Sequence, residues 1–131
     1  MVAAGVGAWG SFLTADQIAA AAGAREQPAN LVAADEGGVV AFVAWDVETG
    51  EITRLYTHPR AWGRGVGSQL LDRALAGLRA EGQSQAWLFT EERNERGRRF
   101  YEQRGWRIEG PAREREWQGT RLREPRYVKD L

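Results

Sequence analysis

The sequence contains no cysteine. Disulfide scaffolds, thiolate zinc sites and a cysteine nucleophile are therefore excluded. There is one histidine, His58, so a multi-histidine metal centre is excluded as well. Carboxylates do not cluster at metal-ligand spacing, and no metal is expected. No apolar run approaches the roughly 20 residues of a membrane-spanning helix. The first residues lack a basic segment followed by an apolar one, so no secretory leader is expected and a cytoplasmic location is the default. Net charge is missing too: 18 Lys and Arg balance 18 Asp and Glu. Such a chain lacks the broad basic face that nucleic acid requires, although a zero sum still permits a local basic groove.

What is present suits one domain spanning residues 1–131, since 43% of the residues are apolar, enough for one core. Thr14, with Gln17 at capping-box spacing, predicts a helix over Ala15–Ala22. Leu31–Ala34, Val39–Trp45 and Glu51–Thr57 read as strands. The short turns Glu36-Gly37-Gly38 and Glu48-Thr49-Gly50 join them into an antiparallel meander. After His58-Pro59 the period changes: Val66, Leu70, Leu71, Ala74, Leu75 and Leu78 share a helical face that ends at Gly82. Ala86–Phe89 is a buried strand, which makes a strand–helix–strand crossover with parallel strands. A second helix runs from Asn94 to Arg104 and is closed by Gly105. Trp106–Ile108 and Arg123–Lys129 read as closing strands. Between them, arginines alternate with glutamates as in a solvated hairpin. The expected class is α+β, a mixed and mostly antiparallel twisted sheet flanked by helices. Of six tryptophans, Trp45 and Trp87 fit the core, while Trp9, Trp106 and Trp117 suit an acceptor pocket or a contact between copies.

The densest local signal is Trp62-Gly63-Arg64-Gly65-Val66-Gly67, between a strand and a helix. A helix start leaves about four backbone N–H groups unpaired and carries roughly half a positive charge. Glycines let a ligand approach that backbone, so the turn suits phosphate or pyrophosphate. Arg60 and Arg64 would add charge. A tight connection with no ligand satisfies the same glycines. The P-loop pattern fails, because it needs Gly-Lys. The dinucleotide fingerprint fails because Leu70 follows Gly67 at the position that needs glycine or alanine.

The segment Leu55–Leu71, LYTHPRAWGRGVGSQLL, resembles the coenzyme A-binding motif of the GNAT superfamily of N-acetyltransferases. There a strand feeds a Q/R-x-x-G-x-G/A turn, carried here by Trp62, Gly65 and Gly67; Trp62 replaces the usual Gln or Arg. Asn94–Trp106 is similar to the family's N-x-x-A-x-x-F-Y-x-x-x-G-F block. Asn94, Phe100, Tyr101 and Gly105 match, Gly97 replaces Ala and Trp106 replaces Phe. Before Leu31 there is one clear helix and no good first strand, where the family has a strand and one or two helices. This implies either a shortened N-terminal part or a start further upstream.

The resemblance implies an N-acetyltransferase that moves an acetyl group from acetyl-CoA, as co-substrate, directly to a primary amine of a small molecule or peptide. It also allows a homodimer. In this reading the turn, Gly63, Arg64, Gly65, Val66, Gly67 and Ser68 with Trp62, holds the pyrophosphate. The strand end Leu55, Tyr56 and Thr57 aligns pantetheine, Asn94 hydrogen-bonds it, and Arg98 joins the cofactor side. Tyr101 protonates the leaving thiolate. Glu51 is the candidate base; two-residue spacing places it on one face with Thr53, Leu55 and Thr57 unless a bulge intervenes. His58, before Pro59, reads as structural. The same residues also suit a non-catalytic acyl-CoA-binding or sensing module.

Overall fold

Three strands, β1 (Ala29–Asp35), β2 (Gly38–Trp45) and β3 (Ile52–Thr57), form the expected antiparallel meander in the order β1-β2-β3. The coordinates are those of a computed structural model and describe residues 29–131. The readings of Ala15–Ala22 and of the shorter N-terminal part lie outside the described residues, as does Trp9.

The helix α1 (Val66–Ala80) buries Leu70, Leu71, Ala74, Leu75 and Leu78, the stripe its 3.6-residue period assigns. These side chains pack on Ala41, Val43, Trp45, Ile52 and Leu55 of the meander. Burying each leucine stabilises the fold by about 1.5–3 kcal/mol. Gly77 lets the helix approach the sheet: a Cβ there would sit 3.2 Å from the Trp45 ring.

The second layer is built by β4 (Gln85–Phe89), β5 (Arg107–Ile108) and β8 (Arg126–Asp130), in the order β4-β8-β5, all antiparallel. A second helix, α2 (Glu95–Glu102), carries Tyr101 into the core beside Tyr127 and Trp106. Between β5 and β8 the hairpin β6 (Arg113–Trp117) and β7 (Thr120–Glu124) stands as a separate two-stranded sheet. The mixed α+β architecture with mostly antiparallel pairing is as expected.

Three expectations change. The crossover strands β3 and β4 are parallel, yet they touch through one bridge, Glu51 to Trp87, supported by Trp87 N–H donating to the Gly50 carbonyl at 3.1 Å. Beyond that bridge they part into two sheets. The reading of Arg123–Lys129 as one strand fails because buried Pro125 has no N–H for a ladder; the chain changes sheets there. The hairpin is not solvated throughout: Glu124 is 1% exposed, held by Arg113 at 2.9 Å and Arg115 at 2.8 Å.

Candidate active site

Between the end of β3 and α2, beyond the point where β3 and β4 part, lies a cleft of about 980 Å³. One wall is the end of β3, Leu55, Tyr56 and Thr57, followed by Ala61, Trp62, Gly63, Gly65, Val66, Gly67 and Ser68. The other is α2 and its approach, with Asn94, Arg96, Gly97, Phe100, Tyr101 and Arg104 among the lining residues. On its open side β3 has no strand partner past Glu51 among the described residues.

The turn earns its glycines by conformation. Gly63 and Gly65 both sit at φ +77°, with nothing within 4 Å of an added Cβ. Gly65 is the N-cap of α1 and makes no side-chain cap bond, so the first amides of the helix are left without a capping side chain. Gly67 works differently: a Cβ there would meet Thr57 Oγ1 at 2.9 Å, so this glycine lets α1 seat against β3. His58 has the expected structural role: its Nδ1 accepts from Arg60 N–H at 3.1 Å and caps the short 3-10 helix Pro59–Ala61.

Asn94 caps α2: its Oδ1 accepts from Gly97 N–H at 3.2 Å, and its Nδ2 donates to Thr90 Oγ1 at 3.1 Å. Glycine at 97 is explained by the same side chain, because the Asn94 amide fills the volume an alanine Cβ would occupy. Tyr101 is 1% exposed and framed by Phe100, Trp106 and Tyr127. Burial pushes its phenol well above the ordinary tyrosine value.

Several expected residues lie elsewhere. Glu51 is not on one face with Leu55 and Thr57. A bulge at Thr53 shifts the register, Ala44 facing Arg54 and Trp45 facing Ile52, so that Ile52 and Leu55 both turn to α1. Glu51 sits on the opposite face beside Trp87, outside the cleft lining. Burial raises its carboxyl and Asp46 raises it further, against a lowering effect of Arg113. Arg98 faces away from the cleft: it donates to Tyr127 Oη at 3.1 Å and to the Glu92 carbonyl at 3.0 Å, anchoring α2 to β8. Arg64 is exposed and outside the lining, and Arg60 is already paired with Asp35 at 2.8 Å. Thr57's carbonyl accepts from the Trp62 indole at 2.9 Å. Trp106 is 3% exposed, a core residue rather than an acceptor-pocket or interface one.

The sequence reading passed over the cationic wall. Arg93, Arg96, Arg99 and Arg104 all line the cleft, against a single carboxylate, Glu91. Arg104 lies 3.8 Å over the Phe100 ring and donates to Ser68 Oγ at 3.3 Å. Part of the signal was available: Arg96 and Arg99 are three apart in α2, the spacing of one helical face, and Arg98 falls about half a turn from Arg96.

Glu91 fixes the loop that enters α2. It accepts from Arg93 Nε at 2.7 Å and from Arg123 N–H at 2.8 Å, tying β7 to the cleft. Burial alone would raise this carboxyl; hydrogen bonds from Arg93 and the Arg123 amide outweigh it and bring it to about 2. A depressed folded-state value stabilises above the ordinary carboxylate range and is lost as pH falls through the folded value. Stability is therefore expected to decline between about pH 4.5 and pH 2. Glu91→Gln should flatten that decline in denaturant titrations at successive pH values, and an unchanged slope would remove Glu91 as its source.

The comparisons with known proteins agree with this geometry. The sequence profile of the acetyltransferase (GNAT) family matches residues 7–106. A mycothiol acetyltransferase of Beutenbergia cavernae is 42% identical over 80 residues, which are 58% of this chain and 27% of that protein. The chain thus spans about a quarter of that relative's length. In structure, a GCN5-related N-acetyltransferase from Rhodopseudomonas palustris superposes with a TM-score of 0.71 at 23% identity, over 88% of this chain and 68% of that one. The PaiA N-acetyltransferase of Thermoplasma acidophilum, determined in complex with coenzyme A, gives 0.62 at 21% identity over 78% and 60%. The chain belongs to the acetyltransferase (GNAT) family.

Proposed function

We propose that the protein transfers an acetyl group from acetyl-CoA to a primary amine by direct attack within a ternary complex. The observation that carries this reading is the fork between β3 and β4. An unpaired strand edge, an amide-rich helix start and a buried tyrosine line one cleft of about 980 Å³.

Each part has a task in that reaction. Pantetheine is extended and carries amides, so it can lie along the open edge of β3 as an added strand. Its diphosphate would lie at the turn, where Gly63 and Gly65 leave room and the α1 amides provide donors. The amine nitrogen attacks the thioester carbonyl; the new C–N bond forms as the C–S bond breaks. Tyr101 gives its proton to the departing thiolate and recovers one from solvent. A buried phenol is a weak acid, but a thiolate leaving into the same dry surroundings gains proton affinity too. Glu51, its carboxyl raised by burial, lies outside the cleft lining, so in this reading the amine proton reaches it through water. Asn94 keeps one N–H beyond its bond to Thr90 and offers it to pantetheine.

The test joins two measurements. Incubation with acetyl-CoA and a panel of primary amines is expected to release free CoA thiol above the rate without amine. Calorimetry is expected to detect CoA binding. Binding with no release on any amine would overturn the transfer reaction; absence of binding at millimolar CoA would overturn the site itself.

A further inference from the structure

The turn's departure from its family pattern has a counterpart across the cleft. Trp62 stands where a polar or cationic side chain is usual. The residue is 40% exposed, and its indole N–H is tied to the Thr57 carbonyl at 2.9 Å. The guanidinium of Arg96, from the first turn of α2, lies 4.0 Å from the centre of that ring. The two side chains come from opposite walls and meet over the cleft.

A guanidinium that stacks uses its face, and its N–H donors stay free along the edge. Among the described residues Arg96 has no hydrogen-bond acceptor or ion-pair partner; the Trp62 ring is its recorded contact. Arg99, exposed in the same lining, likewise has no acceptor among the described residues but is stacked on no ring, and the other two arginines of the wall are engaged. Arg93 is engaged by Glu91 and by the Arg121 carbonyl, and Arg104 by Ser68 and the Phe100 carbonyl. A cation held flat, with an unspent planar fork, next to a glycine turn with open amides fits a phosphate group, whose oxygens match the fork in pairs.

We propose that Arg96, carried on Trp62, is the phosphate-binding cation of this cleft and replaces from α2 the side chain that position 62 has lost. The ligand chemistry is a phosphate ester or diphosphate of the donor; its source is either the diphosphate next to pantetheine or the phosphate on the ribose. This assignment rests on the proposed acetyl-CoA site and adds a residue that the glycine turn does not supply. Trp62 is a positioning residue here: the attraction of a cation to an indole face holds Arg96 in place and lowers the entropy it loses on binding.

The experiment is a titration of CoA, dephospho-CoA and pantetheine into wild type, Arg96→Ala, Arg96→Lys and Trp62→Leu, with Arg73→Ala, an exposed change on α1, as the charge control. Both Arg96 and Trp62 are exposed, so folding should survive; thermal melts check it. Arg96→Ala is expected to weaken CoA about tenfold and leave pantetheine within about twofold, because only the phosphates are read. It should also reduce the salt dependence of CoA binding. Arg96→Lys should fall between, since an ammonium keeps charge but neither fork nor flat stacking. Trp62→Leu should reproduce part of the loss, and the double variant should be no weaker than Arg96→Ala. Equal losses on CoA and dephospho-CoA assign the contact to the diphosphate; a loss confined to CoA assigns it to the ribose phosphate. Unchanged CoA affinity in Arg96→Ala, or a matching loss on pantetheine, overturns the proposal while leaving the acetyl-CoA site standing. A wild type that binds none of the three ligands overturns that site and this assignment together.

Discussion

Replacing Tyr101 by Phe is expected to lower kcat for acetyl transfer by roughly a hundred- to ten-thousand-fold, the range a positioned proton donor contributes, with CoA affinity within about twofold of wild type. The substitution is a clean probe because the ring does the packing. Tyr101 meets Phe100 at 5.3 Å and Trp106 at 5.6 Å between ring centres, and a phenylalanine keeps both contacts. The Tyr101 hydroxyl makes no hydrogen bond to another described residue, so its loss should change stability by less than the roughly 1 kcal/mol of a typical hydrogen bond, too little to unfold a domain. The pH profile adds a second reading. Burial raises the phenol above its ordinary value of about 10, so it stays protonated through the working range. The wild-type rate should show no fall from phenol ionisation below about pH 10, and any basic limb at lower pH belongs to another group. A Tyr101→Phe enzyme that turns over within threefold of wild type would remove the phenol from the mechanism.

Leu71→Ala should destabilise the fold by about 3 kcal/mol, within the roughly 2–5 kcal/mol measured for buried leucine truncations. Leu71 is 1% exposed, on the face of α1 that packs on β2 and β3. Truncation removes apolar burial and leaves a cavity that the helix cannot readily close, since at Gly77 there is not even room for a Cβ beside the Trp45 ring. For a chain of this size the midpoint of thermal unfolding should fall by about 10–20 °C. Because α1 carries one wall of the cleft, the defect reports on the ligand too. CoA at a hundred times its dissociation constant should return about 2.7 kcal/mol. A melt in which saturating CoA raises wild type and variant by the same amount supports intact binding. A small change in melting temperature without ligand would show that the core tolerates the cavity.

Much of this was legible in the sequence. The stripe Leu70, Leu71, Ala74, Leu75 and Leu78 needs no tertiary knowledge, because helical period alone puts it on one face. The glycines of the turn were legible as backbone a ligand can approach, and the structure adds that Gly63 and Gly65 sit at positive φ while Gly67 does not. What escaped depends on partners. The bulge at Thr53 exists only in register with Ala44 and Trp45, and it moved Glu51 off the expected face. The burial of Glu124 is set by hairpin pairing, which puts Arg113 opposite it and Arg115 within 2.8 Å; the same charges along a single strand look solvated. Arg98 and Arg96 are two residues apart in one motif and were separated only by helical phase.

Pro59 has a consequence beyond capping. The fork leaves β3 with open amides and carbonyls up to the Thr57 carbonyl, which the Trp62 indole occupies, a pattern that any extended chain can match, including a neighbouring molecule's strand in a crowded solution. The run is short, and it ends at His58-Pro59, where the chain bends into a 3-10 helix and the imino ring offers no hydrogen to continue a ladder. A guest held at one end by phosphates tolerates so brief a template. A guest strand from another protein, which needs length, does not, so the opening that admits a ligand is also kept too short to seed aggregation.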